Sequence, residues 1–427
     1  MSDDYQKQLL AYNEDKRTAC KYGDKCYQKN PKHLEKFKHP PSDNLKEFTQ
    51  ATKKQKLNNG ESNTTHASKI EKDGPENEDN SELNIENQSE NEDNDTDKEH
   101  QNTTKTNNSQ VDTKPESELT ESEFIQRNFL VKMPDDFYKF WEFCKIINEK
   151  DPLHAFEKVD LVLVGPFDVL AGKFQNVTKT KNEYLRHWRY YYDPPEMQTV
   201  IKCYDKEGYH IGYYRDEPLS DPCFVCSGNL INGQLTIMAG NLFGAVNVYL
   251  DNYVQKKCTP FNKMGIVKFQ TKLKDYAKTE NITLETKTDE MKSRNNKVVT
   301  RTFSGIGIVV PYNKKTQLGY RPLIETKDKI KKLLNNIVEA KEDGLRDDFL
   351  SKLQPIITMA SIAADECDFG TSLELGLDLF NYGGEVFHNI ILSLLISSYQ
   401  LLGRDSFGDI MQAHLQDRKK SNNLSIL

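Results

Sequence analysis

Hydrophobic positions along the C-terminal two-thirds of the chain follow two different periods. In Pro134–Ile147 (PDDFYKFWEFCKII), Phe137, Phe140, Trp141, Cys144 and Ile147 recur three and four residues apart behind two acids, which predicts an amphipathic helix. Val159–Val164 is a compact β-branched run closed by Gly165-Pro166 and predicts a strand. Tyr209–Tyr214, Gly233–Ala239, Val298–Phe303 and Ile306–Val310 predict further strands bounded by turn residues. From Lys327 the helical period takes over, in Asp328–Ala340, Leu345–Leu353, Pro355–Ala364, Leu373–Phe380 and Val386–Leu402. Strands first and helices later predict an α+β domain with a central, mainly antiparallel sheet and a C-terminal helical part, not a doubly wound fold.

Before this domain neither period is present. No aromatic residue occurs between Phe48 and Phe124, although 10% of the chain is aromatic. Such a stretch buries too little apolar surface to offset the entropy of ordering. Residues 41–122 therefore read as a disordered acidic and polar linker between a small N-terminal unit (1–40) and one globular domain (123–427). Glu61–His100 alone carries 14 acidic and 3 basic residues, whereas the whole chain is only −7, so the remainder is net positive. That balance suits a polyanionic partner without requiring one.

The start MSDDYQKQLL has neither a basic region nor a long apolar run, so no secretory signal is expected. Val386–Leu402 is interrupted by His388, Asn389, Gln400 and serines, which favours a buried helix over a membrane span. Eight cysteines in this context point to an intracellular protein with reduced thiols and a metal site, not a disulfide framework.

The metal site is expected near the N-terminus. Cys20, Cys26, His33 and His39 are spaced C-x5-C-x6-H-x5-H, two thiolates and two imidazoles within twenty residues, a donor set suited to tetrahedral Zn²⁺. Gly23 and Asn30-Pro31 supply turns between the ligands, and Leu34 and Phe37 are almost the whole core, so metal binding would drive folding. This spacing differs from that of fingers that present a helix to DNA, and no sequence-specific DNA binding is expected. Residues 17–40 resemble the PBZ finger, a poly(ADP-ribose)-binding module, through Arg17, Tyr22-Gly23, Tyr27, the Asn-Pro turn and the closing His-Pro. The resemblance implies that Tyr22 and Tyr27 stack on adenine while Arg17 and Lys29 meet the pyrophosphate. Gln28 departs from the family, which usually has a basic residue there. Packing around the zinc is the alternative role for the two tyrosines.

The large domain has no G-x-G-x-x-G, no Walker loop and no His-Glu-x-x-His. Ser304-Gly305-Ile306-Gly307 reads as a bulge or turn, and Cys223/Cys226 as buried thiols, with redox or metal work as the alternative. Two constellations remain. Asp365-Glu366-Cys367-Asp368 puts three carboxylates at the end of an apolar helix, where they oppose the helix dipole; this is either a site or a charged exposed turn. Gly319-Tyr320-Arg321-Pro322 holds two residue types that often anchor interfaces between backbone constraints, or is a simple loop.

From about Phe124 onward the chain resembles the histone PARylation factor family. The resemblance is carried by FLVKMPDDFYKFWEFCK, LVGPFDVLAGK, HWRYYYDPPEMQTVI, KVVTRTFSGIGIVVP, GYR and ADECDFGTSLELGLDLFNYG. It implies an accessory factor, not an enzyme on its own, that binds the catalytic domain of a poly(ADP-ribose) polymerase and directs ADP-ribosylation to serine on histones. By that resemblance Glu366 supplies a general base, Asp365 contacts the partner's active site, Tyr320 and Arg321 anchor the complex, and Asp368 serves for support or substrate contact. NAD⁺ would be held by the partner. The expected setting is the nucleus, on chromatin at DNA damage. A disordered linker of about 80 residues would span roughly 50 Å, letting a polymer-bound finger keep the domain near an active polymerase. The competing readings are a non-catalytic poly(ADP-ribose) reader and an independent hydrolase using Asp365 and Glu366.

Overall fold

In the computed structural model, residues 12, 15–20, 33, 36–39, 118–256 and 260–427 are described, without the side chains of 260–262. The chain divides into two compact units, Met1–Thr113 and Lys114–Leu427. In the first, the described strands are β1 (Thr18–Ala19) and β2 (Phe37–Lys38), a short parallel pair. The expected linker lies outside the described residues up to 117. Its last residues belong to the second unit, whose helix α1 (Glu121–Phe129) starts inside the segment read as linker. A capping box explains the start: the Glu123 amide donates to Thr120 Oγ1 (3.2 Å), and the Thr120 amide donates to Glu123 Oε2 (2.8 Å).

The second unit is α+β. Helix α2 (Asp135–Ile147) falls within one residue of its expected range. The central sheet runs β3 (Leu161–Leu163), β4 (Met197–Cys203), β5 (His210–Tyr214), β6 (Phe224–Gly228) and β7 (Thr236–Ala239), with every neighbour antiparallel and in chain order. Between β3 and β4 lie the short helices α3 (Pro166–Leu170) and α4 (Lys181–Arg186). Ile201, Ile211, Tyr213 and Val225 on one face share a core with Phe137, Phe140 and Phe143 of α2 and Phe243 of α5 (Leu242–Lys256). On the opposite face Met197, Tyr214, Phe224 and Cys226 pack with Leu235 and Ile306. β4 and β6 went unrecognised because polar residues interrupt them. Gln198 and Thr199 are nevertheless buried, and their polar atoms are satisfied internally: Thr199 donates to Asp193 (2.6 Å), and Arg189 donates to Gln198 Oε1 (3.4 Å).

Helices interrupt the expected order of strands then helices. α5 is followed by α6 (Pro260–Thr279) and α7 (Asp289–Asn295), and only then by β8 (Val298–Arg301) and β9 (Gly307–Val309), which pair as a separate antiparallel hairpin. That hairpin contributes to a second core with α8 (Lys327–Glu339), α9 (Asp343–Asp365), α10 (Phe369–Tyr382), α11 (His388–Leu401) and α12 (Asp405–Gln416). Leu345–Leu353 and Pro355–Ala364, expected as two helices, are one. Pro355 removes an amide but lies on the exposed side of α9, where water can take the carbonyl it leaves free. No described helix is long and apolar enough to cross a membrane. The Val386–Leu402 run forms a 3-10 turn and α11, whose Ile391, Leu394 and Leu395 enter this core.

Candidate functional site at the α9–α10 turn

The end of α9 positions the acidic cluster. The Glu366 amide bonds back to the Ile362 carbonyl (3.0 Å) and the Asp368 amide reaches the Ala363 carbonyl (2.8 Å), while Cys367 adopts φ +70°. This reversal resembles a left-handed helix cap, here on a residue with a side chain, so it carries a modest backbone cost. One consequence is that the three carboxylates separate. Asp365 and Glu366 are exposed, whereas Asp368 is buried at the entrance to α10. Asp368 does not cap α10; its Oδ1 accepts the amide of Gly319, 2.8 Å away.

That bond brings in the second constellation. The Gly370 amide donates to the Gly319 carbonyl (3.0 Å), so Gly319 is held on both sides of its α-carbon. Gly319 has φ +114°, and a Cβ there would collide with the Pro311 carbonyl oxygen, which requires glycine. Arg321 is held by Thr371, whose hydroxyl accepts the Arg321 amide (3.1 Å) and donates to the Arg321 carbonyl (2.7 Å). The Tyr320 hydroxyl donates to Glu374 Oε2 (3.0 Å). Burial first, and then the Glu374 carboxylate, raise the pKa of this phenol above its ordinary 10.0, so it remains a neutral donor. The free end of Arg321 turns to the acidic cluster: Nη2 is 2.5 Å from Glu366 Oε2 and Nε is 3.4 Å from Asp368 Oδ2.

In the N-terminal unit the β1–β2 pair ends next to two candidate ligands. The Cys20 amide donates to the Lys38 carbonyl (2.8 Å), which sets Cys20 beside His39. Cys20 Sγ lies 3.5 Å from His33 Nε2, which lies 3.1 Å from His39 Nε2, and the three donor atoms fall within 4.8 Å of one another. Those separations fit ligands about 2.0–2.3 Å from a common Zn²⁺. Cys26, the expected fourth ligand, lies outside the described residues, as do Tyr22, Tyr27 and Lys29. Arg17 is described, and its guanidinium is on Asp15, with Nε 2.9 Å and Nη2 2.5 Å from Oδ2.

A family model for histone PARylation factor 1 matches residues 120–418, and one for the PBZ domain matches residues 17–42. The chain belongs to the histone PARylation factor 1 family. Relatives described as histone PARylation factor 1 include those of Danio rerio, 40% identical, and Bos taurus, 38% identical, each over 302 residues. The matches cover 70% of this chain and 86% and 87% of those proteins. The Mus musculus relative is 39% identical over the same length.

Of the sequence-based candidates of the large domain, Arg321 meets Glu366 and Asp368, Tyr320 precedes Arg321 in the same loop, and Asp365 is exposed next to Glu366 at the end of α9. The CxxC pair does not join them. Cys226 is buried in the sheet core, and the Cys223 thiol donates to Asp216 Oδ2 (3.2 Å). Thr371 and Glu374, which hold the loop, were missed. A signal for Glu374 existed, since it and Asp378 are the two carboxylates of a helix that is buried from Phe369 to Asn381.

Proposed function

We propose that this chain is an accessory factor for a poly(ADP-ribose) polymerase: it binds the polymerase's catalytic domain, completes a composite active site and directs ADP-ribosylation to serine on histones. The observation that carries the reading is the placement of Glu366. Its carboxylate is about half exposed (46%) at a helix end, beside exposed Asp365, and is steadied by an arginine on a clamped loop. A carboxylate presented outward in this way is suited to a site that a second protein completes.

A serine hydroxyl is a weak nucleophile unless its proton leaves as it attacks. Glu366 would take that proton as the serine oxygen bonds to C1 of the nicotinamide ribose and the bond from C1 to nicotinamide breaks, the electron pair leaving with neutral nicotinamide. The same carboxylate would favour the positive charge that develops on the ribose. NAD⁺, held by the partner, supplies the ADP-ribosyl group. Asp365 would contact the partner's active site, Tyr320 and Arg321 would anchor the complex, and Asp368 would support both from below.

The finger, in this reading, holds Zn²⁺ through Cys20, Cys26, His33 and His39 and binds poly(ADP-ribose) through Arg17, Tyr22, Tyr27 and Lys29. The setting would be nuclear chromatin at DNA damage. The test is reconstitution of the full chain with a polymerase, NAD⁺ and a serine-bearing histone peptide. Glu366→Gln should keep polymerase binding and lose serine modification; a variant that still modifies serine removes the base role and favours a non-catalytic reader. Release of ADP-ribose without a polymerase would favour a hydrolase.

A further inference from the structure

Tyr320 and Arg321 lie in a loop whose residues from Pro311 to Leu318 are all exposed. An exposed loop does not hold two side chains in a fixed relation to a carboxylate on another element unless something buried organises it. Here α10 does so with its first two turns. Asp368 and Gly370 take the two sides of Gly319, Thr371 closes on both backbone groups of Arg321, and Glu374 receives the Tyr320 hydroxyl.

Glu374 does more than receive one hydroxyl. Its side chain is 2% exposed, and Oε1 accepts from Thr300 Oγ1 (2.7 Å) on β8 and lies 3.0 Å from Lys327 Nζ at the start of α8. One buried carboxylate thus meets the hairpin before the loop, the loop itself and the helix after it. A buried carboxylate is costly unless charge and hydrogen bonds satisfy it. The partners that satisfy this one also fix the loop at both ends. We propose that Glu374 and Thr371 are positioning residues, which hold Tyr320 and Arg321 in the geometry needed to engage a second protein while Glu366 stays presented. The proposal rests on the reading of this site as the surface a polymerase engages.

The two residues act on different groups, so they separate in experiment. Thr371 fixes main chain and Glu374 fixes a phenol. Their hydrogen bonds go to the loop, the hairpin and α8, whereas Glu366 is bonded to Arg321. Loss of Glu374 should therefore alter recognition and spare the chemical step, whereas loss of Thr371 also loosens Arg321, which steadies Glu366.

The experiment uses the full chain with a polymerase catalytic domain, NAD⁺ and a serine peptide. Glu374→Gln and Thr371→Val should each raise the factor concentration needed for half-maximal serine modification by about tenfold, the weight of one strong hydrogen bond. The rate at saturating factor should stay near wild type for Glu374→Gln and fall for Thr371→Val, and Thr371→Ser should restore both binding and rate. In a Tyr320→Phe background, Glu374→Gln should cost less than it does in the wild-type chain, because one of the groups it holds is gone while Thr300 and Lys327 remain. Amide hydrogen exchange on the chain alone should show Gly319–Arg321 opening faster in both variants. Unchanged exchange and unchanged half-saturation would overturn the positioning role, as would full additivity with Tyr320→Phe. If the wild-type chain fails to engage the polymerase, the proposed function fails, while the exchange measurement still reports on the clamp.

Discussion

Arg321 and Glu366 are 45 residues apart in sequence and 2.5 Å apart in space, and the same guanidinium reaches Asp368 at 3.4 Å. An exposed ion pair of this kind contributes little to stability. Its consequence is orientation, because the planar fork of arginine fixes the directions in which it meets two carboxylates, whereas a lysine ammonium is a point charge with freely rotating donors. Arg321→Lys should therefore leave the melting temperature within about 2 °C of wild type, as expected for a surface change. Serine modification should nevertheless fall by roughly tenfold. A rate equal to wild type at matched concentrations would mean that charge alone suffices.

The loop that carries Arg321 depends on one backbone conformation. Gly319 is at φ +114° with the Pro311 carbonyl where a Cβ would be, so Gly319→Ala must either strain this residue or move the loop. Strain of this kind costs about 1–3 kcal/mol. We expect urea unfolding of Gly319→Ala to show a loss in that range and partner binding to weaken with it. An unchanged midpoint would mean the loop has another conformation of equal energy.

Asp378, one turn beyond Glu374, gives the domain a pH dependence with a definite sign. Its Oδ1 accepts the Phe303 amide at 2.6 Å, and Oδ2 has no hydrogen-bond partner among the described residues. Burial raises its pKa from an ordinary 3.8 to about 7; nearby Lys327 and Lys331 lower it, and Glu374 raises it. Between those values the folded chain keeps a proton that the unfolded chain has lost. The stability tied to this group is therefore full below 3.8 and is lost as the pH rises to about 7. Asp378→Asn keeps an oxygen for Phe303 and cannot ionise. Relative to wild type it should gain on the order of 4 kcal/mol in unfolding free energy between acidic and mildly alkaline buffer. Parallel pH profiles for the two proteins would show that Asp378 titrates normally.

How much of this could be read from the sequence depended on whether a residue's environment is local. α2 declared itself because its apolar stripe and acidic first turn are both within thirteen residues. β4 did not, because Gln198 and Thr199 are paired by Arg189 and Asp193 from the preceding loop, and period alone cannot show that burial. Pro355 suggested a break that the exposed side of α9 absorbs. At the site, residue chemistry left Asp365 and Glu366 balanced between a charged turn and a functional cluster, and family resemblance weighted the choice. The support from Thr371 and Glu374 spans about fifty residues and two elements, so no local pattern could announce it.

The finger offers a last test, in the contact between Arg17 and Asp15. Arg17 holds the Asp15 carboxyl down to about 2, so this aspartate stays ionised and occupies the cation proposed for the polymer's pyrophosphate. A polymer phosphate would have to displace it. Asp15→Asn should therefore strengthen binding of ADP-ribose polymer by about two- to fivefold at low salt, with the gain shrinking as salt screens the competition. Chelation of zinc should abolish binding in both proteins if the Cys20, His33 and His39 cluster organises the finger. Weaker binding by Asp15→Asn would assign Asp15 the opposite task, that of orienting Arg17 toward the polymer.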